Sequence, residues 1–115
     1  MLAGYSWAKI INTAASLVLL ALAGYHFSTI SPTNASWRSG TIETVSAVLL
    51  LAAAWRLPQA AGVAINTVLA VAIAGLGAYH FTHAGMGSGV TEWVLAIALG
   101  YAAMNLRRYG AGATR

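Results

Sequence analysis

Long apolar stretches alternate with short polar ones along the chain, and this alternation predicts four membrane-spanning helices. The expected helices cover about residues 7–30, 40–57, 60–82 and 89–106. Each stretch approaches the ~20 apolar residues that a helix needs to cross a bilayer. Pro32 and Pro58 fall between stretches, where a helix cannot continue. We therefore expect an all-α bundle in which the helices run up, down, up and down.

The same polar positions occur twice within this pattern. Residues 8–29 recur 54 positions later as 62–83 with 7 of 22 positions identical, and 39–57 recur 49 positions later with 9 of 19 identical. The matches include residue types that rarely coincide by chance in an apolar chain. They are Asn12, Tyr25, His26 and Glu43, which return as Asn66, Tyr79, His80 and Glu92.

Such self-similarity predicts a tandem duplication of a two-helix unit. Repeat 1 covers 7–57 and repeat 2 covers 60–106, within one membrane domain of residues 1–115. Each unit holds two helices, an even number, so the two copies should enter the membrane in the same direction. The expected symmetry is a pseudo-two-fold axis along the membrane normal.

The composition decides the class of protein. Hydrophobic residues make up 59% of the chain and charged residues 7%, which is too little polar surface for a soluble domain of this size. The absence of cysteine excludes disulfides and thiolate metal sites. The net charge of +4 is scattered over the predicted helix ends, so it predicts no nucleic-acid surface. We expect an integral membrane protein whose first partner is the lipid bilayer.

The basic residues predict the orientation of the bundle. Five of the six fall on one side of the expected membrane and Arg38 falls on the other. The five are Lys9, Arg56, Arg107, Arg108 and Arg115. Because cytoplasmic segments carry the excess of Lys and Arg, both termini should lie in the cytoplasm, with a prokaryotic inner membrane as the expected location.

The candidate site follows from the few remaining polar side chains. Helical periodicity puts the histidines and glutamates on inward stripes at the outer ends of their helices. They are His26, His80, His83, Glu43 and Glu92. Imidazole and carboxylate ligands suit zinc, iron or manganese. We therefore predict a divalent-metal site, with His83 as an optional fifth ligand, in an accessory subunit of a larger membrane complex or in a homo-oligomer.

Other interpretations of the same residues stay open at this point. Each glutamate lies near an expected helix start and would suit a helix cap, and a single histidine at a helix end is often an interfacial or hydrogen-bonded core residue. If the first and third helices are diagonal, His26 and His80 could instead bind a haem or another tetrapyrrole axially. A third functional class is a small proton-coupled transporter. No catalytic motif is present in the sequence, so an enzyme is not favoured.

Overall fold

The computed structural model describes residues 4–31, 36–83 and 86–113, and over these residues the chain is helical apart from short connections. The four helices are α1 (Gly4–Ser28), α2 (Trp37–Trp55), α3 (Gln59–Thr82) and α4 (Met86–Ala113). The all-α prediction is therefore confirmed. The expected boundaries lie within three residues of the observed ones, except that α4 continues to Ala113.

The connection between α2 and α3 shows how the sequence ends one helix and begins the next. The backbone N–H groups of Arg56 and Leu57 both donate to the carbonyl of Ala52, at 2.8 and 2.9 Å. Pro58 follows with φ −62° and ψ 158°, directly before the first residue of α3. Proline suits this position because it lacks the N–H that a helix start would leave without a partner.

Three of the four helices are long and apolar enough to cross a membrane. Their candidate spans are Trp7–Ser28, Gln59–Thr82 and Met86–Arg108. The remaining helix, α2, is 19 residues long and buries several polar side chains, which lowers its apolar character. Membrane localisation is thus supported by three helices, and the fourth span stays a prediction.

The bundle core contains one large apolar side chain from each helix. Leu19, Leu50, Ile73 and Leu99 are all fully buried, within one apolar cluster. In the described part of the chain, α1 packs against α2 and α4, while α3 packs against α4 and α2. No Cα atoms of α1 and α3 come within 8 Å of each other there. These two helices are therefore diagonal partners, joined only through side chains.

The outer surface of the bundle is apolar and its interior carries the polar groups. Large hydrophobic side chains are exposed on all four helices, among them Leu17, Val48, Val71 and Ile97. By contrast, Asn12, Asn66, Glu43 and Glu92 are at most 1% exposed. This inversion of the usual soluble pattern is what lipid requires, because polar side chains that face hydrocarbon are costly.

Candidate functional site

Four of the five predicted site residues come together at one end of the bundle. His26 of α1, Glu43 of α2, His80 of α3 and Glu92 of α4 are all buried. Each helix thus contributes one ionisable side chain. We call these four residues the His/Glu cluster.

Each histidine is paired with the glutamate of the next helix in the chain. The Nδ1 atom of His26 lies 2.7 Å from Oε1 of Glu43, and Nδ1 of His80 lies 2.5 Å from Oε1 of Glu92. In a neutral imidazole with the proton on Nδ1, this nitrogen donates to the carboxylate and leaves Nε2 as an acceptor. The carboxylate therefore fixes both the orientation and the tautomer of its ring.

The two pairs meet through their imidazole rings. The centroids of the His26 and His80 rings are 4.8 Å apart and the planes are inclined by 18°, so the rings are stacked. Tyr25 and Tyr79 approach the two histidines edge-on, with centroid distances of 5.4 and 5.7 Å. A tetrapyrrole bound between the histidines would have to separate rings that are in contact here.

The two glutamates are the most deeply buried members of the cluster. Both side chains are fully buried, and each uses one carboxyl oxygen, Oε1, to bond to the histidine of its own pair. When both are ionised, neither Oε2 atom has a hydrogen-bond donor among the described residues. Each glutamate of the cluster therefore keeps one buried carboxyl oxygen as an acceptor that is not used within the described part of the chain.

Packing around glycine holds the paired helices close enough for these contacts. A Cβ atom at Gly40 would lie 2.9 Å from the ring of Phe27, and one at Gly89 would lie 3.1 Å from the ring of Phe81. Glycine at these positions lets each aromatic ring approach the neighbouring backbone closely, one turn away from the buried glutamate. Each half of the chain thus has the same close Phe–Gly contact between its two helices, next to its His–Glu pair.

A serine outside the predicted site, Ser39, completes the cluster on one side. The Oγ atom of Ser39 lies 3.1 Å from Nε2 of His80, and Ser39 is buried. The Ser39-Gly40 match with Ser88-Gly89 was visible in the sequence. However, the expected start of the second helix at residue 40 put Ser39 in a loop.

His83 does not join the cluster. Its side chain is exposed, its ring stacks on Tyr79 at 4.1 Å, and its Nδ1 atom lies 2.8 Å from Oγ1 of Thr82. The reason is that α3 ends at Thr82, so His83 leaves the helical stripe that points inward. The suggested fifth ligand therefore contacts Thr82 and Tyr79 instead of the other four residues, within the part of the chain that the structure describes.

The helix-capping interpretation of the glutamates is wrong. Neither α2 nor α4 has an acidic residue in its first turn, because both helices begin three residues before their expected starts. Glu43 and Glu92 consequently lie in the second turn and bond to histidines instead of backbone N–H groups.

The metal-site prediction meets a specific geometric difficulty. Within the described ranges, no three histidine or acidic side chains surround a common point that could hold a metal ion. The Nδ1 and Oε1 atoms of the cluster bond to each other. The arrangement is one of two hydrogen-bonded pairs in contact, which is suited to holding and passing protons.

A second polar layer lies at the other end of the apolar core. The side-chain amides of Asn12 and Asn66 bond reciprocally, with N···O distances of 2.9 and 2.7 Å. Ser16 donates to the carbonyl of Ala47 at 3.0 Å in the same region. The two asparagines therefore join the diagonal helices α1 and α3 through their side-chain amides.

No family model, no curated protein and no solved structure matches the chain.

Proposed function

We propose that the chain is a small integral membrane protein that binds and releases protons at the His/Glu cluster, as the coupling site of a small transporter. The two unpartnered Oε2 atoms of Glu43 and Glu92 carry this proposal. An uncompensated buried charge costs several kcal/mol in a protein interior. A proton on one carboxyl group removes one of the two buried charges without displacing either histidine.

A proton fits the cluster better than a metal ion does. A divalent ion needs several donor atoms directed at one point, which would require the two His–Glu hydrogen bonds to break. A proton uses the contacts that are already made. For the same reason, the stacked rings of His26 and His80 favour proton binding over axial ligation of a tetrapyrrole.

The apolar layer favours a carrier over a proton channel. Leu19 is seven residues from both Asn12 and His26, and it is fully buried. Along a helix, the two polar layers are therefore separated by about 21 Å, with Leu19, Leu50, Ile73 and Leu99 between them. A proton held in the cluster would cross only if the helices moved, as they do in alternating-access transporters.

The proposed architecture has four spans, alternating in direction, in two copies of a two-helix unit. Hydrogen bonds support the alternation, because early residues of α1 contact late residues of α2 while His26, late in α1, contacts Glu43. The α3–α4 half has the equivalent contacts, from Asn66 to Leu99 and from His80 to Glu92. With the basic residues in the cytoplasm, the His/Glu cluster would lie toward the outer leaflet.

Proton uptake by the purified protein tests the proposed function. On acidification in detergent, the wild-type protein should take up protons and show the infrared C=O band of a buried carboxylic acid. The Glu43→Gln/Glu92→Gln double variant preserves side-chain shape and should lose both signals. His83→Ala is the matched control, since His83 is exposed and outside the cluster, and it should leave the infrared band unchanged.

Reconstitution distinguishes the competing functions. Liposomes loaded with a pH-sensitive dye should show proton flux with the wild-type protein and not with the double glutamine variant. Unchanged uptake and flux in that variant would overturn the proposal. Stoichiometric zinc, iron or manganese that is lost with His26→Ala, together with unchanged uptake, would establish the metal site in its place, and a Soret band would establish haem.

A further inference from the structure

The two His–Glu pairs match at Nδ1 but differ at Nε2. His80 Nε2 has the hydroxyl of Ser39 at 3.1 Å. The residue that corresponds to Ser39 in the second half is Ser88, which is only half-buried. Among the described residues, no equivalent hydrogen bond joins Ser88 to His26. The two halves of the cluster are therefore chemically unequal at the atoms that their glutamates leave free.

This difference decides which ring can accept an incoming proton directly. When Nδ1 donates to a glutamate, Nε2 carries the lone pair of the neutral ring. On His80 that lone pair accepts the Ser39 O–H, so a proton could add there only after the hydroxyl turned away. On His26 the lone pair is free of such a bond within the described part of the chain.

We infer that Nε2 of His26 is the atom through which the cluster exchanges its proton. Ser39 is a positioning residue, because its hydroxyl occupies the lone pair of His80 Nε2 with a hydrogen bond. This inference rests on the proposed function for the identity of the ligand. An incoming proton adds to the His26 Nε2 lone pair and gives an imidazolium. The imidazolium then releases its Nδ1 proton to Glu43 Oε1, which leaves a neutral ring and a neutral acid. The net change is the addition of one proton.

The surroundings of His26 support a single proton at a time. The titratable groups that act on it from the other helices are Glu43 of α2, His80 of α3 and Glu92 of α4. Tyr25 of its own helix lies against the ring edge. Two stacked imidazolium rings would repel each other, so protonation of His26 disfavours protonation of His80. Because only His80 has a hydrogen bond at Nε2 within the described part of the chain, protons enter and leave the cluster through His26.

Chemical modification can measure the accessibility of each ring nitrogen. Diethyl pyrocarbonate acylates unprotonated imidazole nitrogens, and peptide mass spectrometry reports each histidine separately. At low reagent and neutral pH, exposed His83 should react first, His26 next and His80 most slowly. His83 serves as the internal standard for reagent activity. Equal rates at His26 and His80, or faster reaction at His80, would overturn the inference without any variant.

Matched serine variants then test the cause of the difference. Ser39→Ala should raise the reactivity of His80 several-fold toward that of His26, and Ser39→Thr, which keeps the hydroxyl, should restore protection. Ser88→Ala should change neither ring. A melting temperature in detergent confirms that each variant is folded. An effect of Ser88→Ala equal to that of Ser39→Ala, or no change at His80 in Ser39→Ala, contradicts the role of Ser39.

The failure of this inference is distinguishable from failure of the proposed function. Ser39→Ala should still take up as many protons as the wild-type protein, because both glutamates remain. Loss of the modification order with intact proton uptake rejects the assignment of His26 alone. Unchanged proton uptake in the double glutamine variant rejects the proposed function, whatever the order of modification.

Discussion

The α1–α2 half and the α3–α4 half hold the same His–Glu pair, but they space their helices with different side chains. In the second half, the indole of Trp93 lies over Gly77 and donates to the carbonyl of Ala74 at 3.0 Å. The corresponding positions of the first half are Thr44 and Ala23. A smaller residue on α2 therefore accompanies a larger residue on α1.

This comparison separates the contacts that both halves share at the His/Glu cluster from the side chains that differ in the packing between helices. Both halves keep the inward His–Glu pair and the aromatic ring against glycine, while the residues around them vary in compensating sizes. At this helix contact tryptophan on α4 faces glycine on α3, whereas the smaller threonine on α2 accompanies alanine on α1, an exchange of the kind that packed cores tolerate. The polar geometry at the end of the bundle is the feature that both halves build in the same way.

The largest effect should come from filling the space at Gly77. A Cβ atom there would lie 2.5 Å from Cδ1 of Trp93 and 3.1 Å from the carbonyl oxygen of Gly89. Gly77→Leu should therefore destabilise the protein by about 1–3 kcal/mol through overpacking. A lowered melting temperature in detergent would show it.

The first half supplies the control for this change. Gly77→Ala combined with Trp93→Thr copies the pair found at Ala23 and Thr44, and it should be more stable than Gly77→Ala alone. Equal stability of these two variants would mean that Trp93 does not set the limit on residue size at this contact.

The sequence predicts features that lie within one helix better than contacts that join two helices. Periodicity within a single helix placed Asn12 and His26 on one inward stripe, and the cost of polar groups in lipid fixed the direction of that stripe. The pairing of Glu43 with His26 depends on where α2 starts and how it lies beside α1. Those are tertiary properties, and a shift of three residues changed the expected cap into a hydrogen-bonded partner.

Ser39 and His83 were both mispredicted because of where a helix begins or ends. Ser39 belongs to the site but was expected in a loop, and His83 was expected in the site but lies outside it. Ser39 looked like a loop residue because its helix was expected to begin at residue 40. The helix begins at Trp37, and Ser39 bonds to a histidine of a different helix. His83 looked like a member of the cluster because it follows His80 by three residues. The end of α3 at Thr82 turns it away, and helix ends are the least predictable feature of a helical sequence.

A smaller effect should follow from breaking the amide pair that joins the diagonal helices. Asn12→Leu leaves the amide of Asn66 without its reciprocal partner in the core, so we expect a loss of about 1–2 kcal/mol. Asn12→Leu/Asn66→Leu removes both polar groups, and it should cost less than the sum of the two single variants. Thermal melting of the four proteins measures this coupling. Strict additivity would mean that the two amides act independently.

The smallest effect should come from Ser16, a buried polar residue of the first half that has no polar counterpart in the second half. Ser16 donates to the carbonyl oxygens of Asn12 at 2.7 Å and Ala47 at 3.0 Å, whereas the corresponding residue of the second half is Ala70. Hydrogen bonds between membrane helices contribute about 0.6 kcal/mol on average. Ser16→Ala should therefore lower stability by about that amount.

A serine introduced at Ala70 tests whether a hydroxyl at this position stabilises both pairs of helices or only α1 and α2. Because Ala70 is only partly buried, Ala70→Ser has room for a hydroxyl and should change stability by less than Ser16→Ala does. Neither change should alter proton uptake, since both positions lie on the far side of Leu19 and Ile73 from the His/Glu cluster. A change in proton uptake with Ser16→Ala would show that the two polar layers are coupled through the apolar core, and the comparison between halves would then extend from packing to function.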